Sequence, residues 1–145
     1  MIMKKLFFTI ALLIATLSFA QHGDKIKAYK AAFITEALDL TAAEAQQFWP
    51  IYNEHEDKLM DLRKKERKEI FETINGNVDN LSETEANALL DKVMNIRAKE
   101  LQYHMELVQK LKGVLPAKKI LKLHRAEEEF KKVLLQKVKG KRGRP

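Results

Sequence analysis

Hydrophobic positions in this chain recur at intervals of three and four residues over long stretches. This spacing is typical of amphipathic helices and not of strands, in which apolar and polar residues alternate. Three prolines and five glycines leave little material for the many turns of a β-sandwich or barrel. We therefore predict an all-α fold with four helices, at 24–38, 41–74, 82–115 and 116–139.

Two capping boxes mark the starts of the second and third helices. The hydroxyl of Thr41 can accept a hydrogen bond from a free backbone N–H, while the Glu44 carboxylate reaches back to the N–H of Thr41. Leu40 precedes this cap at the position of a hydrophobic staple. Ser82 and Glu85 repeat the pattern. These residues predict where each helix begins.

A proline lies inside the second helix. Pro50 has no backbone N–H, and its ring clashes with the carbonyl group four residues earlier in the chain. We expect a kink near residues 46–49 and a helix that curves. No other break occurs before Asn75-Gly76-Asn77, so the second and third helices are predicted to form a long, kinked helical hairpin of coiled-coil type.

The first twenty residues have the character of a signal peptide. Lys4 and Lys5 form a short basic start, residues 6–17 are almost wholly apolar, and Ser18-Phe19-Ala20 ends in small residues at the two positions that signal peptidase reads. A membrane anchor is the alternative, but the apolar run is shorter than the roughly 20 residues needed to cross a bilayer. We expect cleavage after Ala20 and a periplasmic protein whose helical domain covers residues 21–139.

Positive charge is concentrated at the C-terminal end. The whole chain has a formal net charge of +7, yet residues 21–130 carry 18 basic and 20 acidic residues, whereas residues 131–145 carry seven basic residues and no acidic one. We expect residues 140–145 to be a disordered basic tail, since they have no apolar side chain to bury. Acidic lipid headgroups or acidic proteins are the expected partners. Nucleic acid is not, because an exported protein meets little of it and the tail has no interleaved aromatic residue.

Catalytic motifs are missing from the sequence. It has no cysteine, no glycine-rich phosphate loop and no nucleophile elbow, so we expect neither an enzyme nor a bound cofactor. Without cysteine, the mature chain has neither a lipoprotein anchor nor disulfides. His55, Glu100 and His104 are weak candidates for metal ligands, and polar residues beside a packed stripe are the favoured interpretation.

The densest aromatic cluster, Phe48-Trp49-Pro50-Ile51-Tyr52, surrounds the expected kink. It is either core packing or an apolar contact surface for unfolded chains or a second subunit. Helices this long on so short a chain cannot all be covered in one compact bundle, so we expect an apolar stripe to remain for a partner. Our hypothesis for the client or dimer surface comprises Phe48, Trp49, Tyr52, Leu59, Leu62 and Ile70, with Arg63, Lys64, Arg67 and Lys68 steering acidic clients.

The segment Leu40-Thr41-Ala42-Ala43-Glu44, followed by Gln46, Phe48-Trp49-Pro50 and Tyr52-Asn53-Glu54, resembles the LTxxQ segment of the Spy/CpxP family in its Bacteroidetes-type form. Residues 115–121 and 126–131 look like the closing helix of the same group. Two positions depart from the pattern. The fifth motif residue is Glu44 rather than glutamine, and the second motif copy is reduced to Leu115-Pro116.

This resemblance implies a cradle-shaped antiparallel homodimer that binds unfolded periplasmic proteins without ATP. It also implies an alternative, in which the protein restrains an envelope-stress sensor, because related sequences are labelled sensors of extracytoplasmic sigma factors or heavy-metal sensors. Three functions stay open at this point: a chaperone, a regulatory partner of a sigma-factor or two-component stress system, and a metal-binding stress protein.

Overall fold

The computed structural model describes residues 23–143, and all secondary structure in this part of the chain is helical. The prediction of an all-α fold with four helices is confirmed if the continuous helical stretch 42–77 is taken as one. The predicted signal peptide and its cleavage site lie outside the described residues. None of the described helices is long and apolar enough to cross a membrane. The elements are α1 (residues 23–38), α2 (Ala42–Glu66), a π-helical turn (Arg67–Phe71), α3 (Glu72–Asn77), a 3-10 turn (Val78–Asn80), α4 (Glu83–Lys112) and α5 (Ala117–Arg142).

Both predicted capping boxes are present. The Glu44 N–H donates to the Thr41 hydroxyl at 3.2 Å, and the Thr41 N–H donates to the Glu44 carboxylate at 3.0 Å. At the start of α4, the corresponding distances between Ser82 and Glu85 are 3.2 and 2.8 Å. Each box satisfies two backbone N–H groups that a helix start would otherwise leave free, so α2 and α4 begin where the sequence predicts.

The end of α1 is fixed by a left-handed residue. Asp39 has φ of 50°, a conformation that aspartate tolerates better than most residues. Its N–H donates to the Glu36 carbonyl at 3.1 Å, and the Leu40 N–H donates to the Thr35 carbonyl at 3.2 Å. These two bonds form a Schellman motif, which stops α1 directly before the α2 cap.

The chain divides into two compact units, of which one is residues 41–120. In this unit α2 packs against α4, and three ion pairs join the two helices. Residue numbers rise along α2 as their partners fall along α4, so the two helices are antiparallel. The pairs are Glu54–Lys110 at 3.2 Å, Lys58–Glu106 at 3.7 Å and Glu66–Arg97 at 2.6 Å.

The other unit contains α1 and the part of α5 from residue 121 onward. The Phe130 ring lies between two rings of α1, with centroid distances of 5.5 Å to Tyr29 and 5.6 Å to Phe33. The Lys137 ammonium lies 4.1 Å from the centroid of the Tyr29 ring, a cation–π contact. The buried side chains of this unit are Ile34, Leu38, Leu123, Ala126 and Phe130.

Three helices end at residues other than the predicted ones, and α4 ends at Lys112 rather than at residue 115. Asn75-Gly76-Asn77 does not break the second helical stretch, because α3 continues to Asn77, where the Oδ1 atom accepts a hydrogen bond from the Asn80 side chain at 2.8 Å. The last helix continues past Lys139 to Arg142. Residues 140–142, which were expected to be disordered, are therefore helical. Basic side chains in its last turn stabilise the partial negative charge at a helix C-terminus.

Candidate functional site

Most of the apolar side chains predicted for the client or dimer surface are in the interior. Phe48, Tyr52, Leu59 and Ile70 are buried, and the Phe48 ring stacks on Tyr52 with centroids 5.2 Å apart. Their spacing does put them near one side of the helical stretch, as the sequence suggested, but this chain covers that side itself. We therefore correct the hypothesis for these four residues, which belong to the core of the monomer.

Trp49 lies at the edge of the aromatic cluster. Its ring makes edge-on contacts with Phe48 and Tyr52, at centroid distances of 4.8 and 5.7 Å, and it is half-buried, as is Leu62. Pro50, the next residue, is exposed inside α2. The expected kink at this proline stays a prediction. Of the six predicted apolar contact residues, Trp49 and Leu62 keep access to solvent.

The four predicted steering residues are exposed. Arg63 and Lys64 lie in the last turn of α2, and Arg67 and Lys68 lie in the π-helical turn that follows. None of them forms an ion pair within residues 23–143. They make a free basic cluster at the junction of α2 and α3.

Helix α4 has two apolar faces. Ile96, Leu107 and Leu111 are buried, whereas a second set of large apolar side chains is exposed. Because successive residues turn by roughly 100° around a helix, this second set lies on another side of α4. We call it the outer stripe, and it comprises Leu90, Met94, Leu101, Met105 and Val108.

The outer stripe was not among the predicted contact residues, which all belong to residues 48–70. Leu90, Leu101 and Val108 recur at helical spacing together with the buried Ile96, so these four positions fit a single apolar stripe in the sequence. A signal for the separation was available, since the outer-stripe positions repeat at their own spacings of three, four and seven residues.

A charged groove runs between α2 and α4 and has a volume of about 530 Å³. Leu62 and Ile96 contribute apolar surface, and the Tyr103 ring lies 5.8 Å from the Lys58 ammonium and 5.6 Å from the Lys99 ammonium. With four lysines and two carboxylates in its lining, the groove has a net positive charge. Its charged residues are Lys58, Asp61, Lys65, Glu69, Lys92 and Lys99.

Ion pairs at the edge of the α2–α4 contact shift the pKa values of Glu54 and Lys58. A hydrogen bond from Lys58, and then one from Lys110, holds the pKa of Glu54 below its ordinary value. The same bond with Glu54 raises the pKa of Lys58. Both groups therefore stay charged at neutral pH, and the ion pairs keep α2 aligned with α4.

Of the three candidate metal ligands, only His55 and His104 lie next to each other. The buried imidazole of His55 lies beside His104, with ring centroids 4.9 Å apart, but the Glu100 carboxylate accepts a hydrogen bond from Arg97 at 3.0 Å. Among residues 23–143, no group of three or more His, Cys, Asp or Glu side chains is placed to hold a metal ion. Two imidazoles provide fewer ligands than the usual four of a structural zinc site.

Comparisons with protein-family models, curated proteins and solved structures found no match to this chain. The resemblance to the Spy/CpxP family therefore depends on the motif residues at 40–54 and 115–131 alone. The outer stripe, the charged groove and the free basic cluster are therefore the features from which a function can be proposed.

Proposed function

We propose that this protein is a periplasmic, ATP-independent chaperone that binds unfolded envelope proteins through the outer stripe of α4. The observation that carries the proposal is the exposure of five large apolar side chains along one side of a single helix, with Met94 67% and Leu101 61% exposed. Contiguous apolar patches of this kind mark interaction sites on soluble proteins.

The chemistry of the outer stripe suits varied clients. From Leu90 to Val108 it extends about 27 Å along the helix, long enough to contact an extended segment of several residues. Met94 and Met105 have flexible, polarisable side chains that adapt to different apolar groups. Such a surface binds many sequences weakly, as a holdase requires, and does not select one.

Positive charge on the same unit of the chain supports capture of acidic clients. The lysine-lined groove and the free basic cluster at Arg63, Lys64, Arg67 and Lys68 are both exposed to solvent. Their combined field would attract negatively charged chains and raise the rate of encounter, with less effect on the final affinity. Binding by contact and charge needs no ATP, no cofactor and no catalytic residue.

The resemblance to the Spy/CpxP family supports the same proposal. It implies a cradle-shaped antiparallel homodimer, while the pattern of residues 1–20 predicts export. In this arrangement Trp49, at the edge of the aromatic cluster, would contact a client or the second subunit.

Suppression of aggregation tests the proposal directly. A chemically unfolded, unrelated client is diluted into buffer without ATP, with and without residues 21–145, and its aggregation is followed by light scattering. The variant Met94→Gln/Leu101→Gln/Met105→Gln should need several-fold more protein for the same suppression, because three apolar side chains no longer contribute buried surface to the contact with the client. Trp49→Ala should weaken suppression less, since Trp49 is already half-buried.

The matched control replaces three exposed apolar residues elsewhere, as Ile26→Gln/Val78→Gln/Leu121→Gln. It should suppress aggregation as well as the parent protein. Equal loss in both triple variants would argue against a specific role for the outer stripe. No suppression by the parent protein at several-fold excess over client would contradict chaperone activity altogether.

A regulatory role in envelope-stress signalling is the second candidate. The observation that favours it is the free basic cluster around the π-helical turn, since π-helical turns are frequent at functional sites. Four unpaired cations there would suit an acidic face of one stress-sensor domain. If the parent protein does not suppress client aggregation, this regulatory role becomes the favoured function. No arrangement of ligands within residues 23–143 favours the metal-binding alternative.

A further inference from the structure

The C-terminal half of α5 has an exposed face that the proposed chaperone function does not use. Lys131, Leu135, Val138 and Arg142 follow one another at spacings of four, three and four residues, so they form one row along the helix. All four are exposed, with Leu135 61% and Val138 52% accessible to solvent. Lys132 and Lys139 flank this row, and we call these six residues the basic face of α5.

The opposite side of this helix segment is occupied. Phe130 is buried against the Tyr29 and Phe33 rings of α1, and Leu134 is half-buried. The Lys137 ammonium lies over the Tyr29 ring of α1, so Lys137 makes a cation–π contact and does not belong to the exposed row. The basic face therefore points away from the packed side of α5.

Charge on this face is unbalanced. No acidic residue follows Glu129 in the sequence. Lys131 forms an ion pair with Glu128 at 2.8 Å, but within the described part of the chain Lys139 and Arg142 form none. A ligand for this surface must accordingly be anionic, and it must also accept aliphatic side chains between the cations.

We propose that the basic face of α5 binds the surface of a membrane that contains anionic lipids. Interfacial helices combine lysine and arginine with aliphatic side chains in this way, the cations pairing with headgroup phosphates while the aliphatic groups enter the acyl boundary. Lysine and arginine stems can lie along the apolar boundary with their charges at the headgroups. Two aliphatic residues give little insertion, so binding is reversible and weakens with salt.

An acidic protein surface would use the same cations, but it fits the face less well. Leu135 and Val138 are exposed and lie between cations on one helix row. A fluid lipid surface adapts to such a row, whereas a protein needs a complementary apolar groove for it.

Co-sedimentation with lipid vesicles tests the proposal. Residues 21–145 are mixed at low salt with vesicles of phosphatidylcholine alone or of phosphatidylcholine with phosphatidylglycerol. We expect binding only to the second kind, with a loss of about tenfold or more for Lys132→Gln/Lys139→Gln/Arg142→Gln. Leu135→Ser/Val138→Ser, which keeps every charge, should bind several-fold more weakly than the parent.

A control variant removes three charges from the other half of the same helix, as Lys118→Gln/Lys122→Gln/Arg125→Gln. It should bind nearly as well as the parent, and equal losses in both charge variants would overturn the assignment to the basic face. Unchanged binding by Leu135→Ser/Val138→Ser would overturn the role of the aliphatic residues. No binding of the parent protein to the phosphatidylglycerol vesicles would overturn the membrane as the ligand and favour an acidic protein. Suppression of client aggregation should be unaffected in all these variants, so the two proposals fail independently.

Discussion

The carboxylate of Glu44 has two roles that differ in how far they can be predicted. It closes the capping box of α2, which follows from residues three positions apart, and it also accepts a hydrogen bond from the Lys119 ammonium at 2.7 Å. The second contact joins positions 75 residues apart in the sequence, and no local pattern predicts it. Both contacts, that with Lys119 first, hold the pKa of Glu44 below its ordinary value.

Replacement of Glu44 by glutamine tests this double role. Glutamine still fits a capping box, so Glu44→Gln removes only the charge. A carboxyl whose pKa is lowered by folding stabilises the protein above its unfolded pKa, and this stabilisation is lost as the pH falls through the folded pKa. We therefore expect Glu44→Gln to be less stable than the parent at neutral pH, with the difference shrinking as the pH falls below the ordinary pKa of a glutamate carboxyl.

Glu85→Gln is the matched control for that experiment. The pKa of Glu85 is lowered by the Ser82 backbone and side chain alone, without a lysine partner. Urea unfolding across the pH range should give a smaller loss for Glu85→Gln than for Glu44→Gln. Equal losses would mean that the Lys119 contact adds nothing to stability.

At the scale of an element, α4 illustrates what periodicity predicts and what it leaves open. Spacings of three and four residues predicted the helix, and the capping box predicted its first turn. Periodicity could not tell which apolar side is covered, because Ile96 is buried by α2, a helix placed by tertiary contacts. The π-helical turn at Arg67–Phe71 was also not predicted, since no proline or glycine marks it.

The two faces of α4 should differ in their effect on stability. Ile96→Ala removes a buried side chain, only 6% exposed, from the contact with α2, so the free energy of unfolding should fall by about 2 to 5 kcal/mol. Met94→Ala changes an outer-stripe residue and should alter stability by no more than about 0.5 kcal/mol. Urea denaturation monitored by circular dichroism measures both. A large loss for Met94→Ala would mean that the outer stripe is covered in solution, as in a dimer.

At the scale of the whole molecule, composition and charge predicted the fold and one charged surface, whereas the aromatic cluster led to a contact surface that is mostly buried. The scarcity of glycine and proline, together with the helical spacing, predicted the all-helical fold, and the uneven distribution of charge identified the basic end of α5. The surface assigned to Phe48, Tyr52, Leu59 and Ile70 was wrong because a stripe of apolar residues does not say whether its own chain or another covers it. Exposure is a property of the folded chain as a whole, and only coordinates reveal it.

Export is the remaining prediction at this scale, because a periplasmic chaperone must leave the cytoplasm. When the full chain is expressed in a Gram-negative bacterium, the protein released by osmotic shock should begin at Gln21, as measured by N-terminal sequencing. Ala20→Tyr should block cleavage, because signal peptidase reads a small residue there, and leave the precursor in the membrane fraction. Phe19→Tyr changes the neighbouring position, which the peptidase does not read, and should be processed normally. A parent protein that keeps residues 1–20 and sediments with membranes would contradict cleavage and support a membrane anchor.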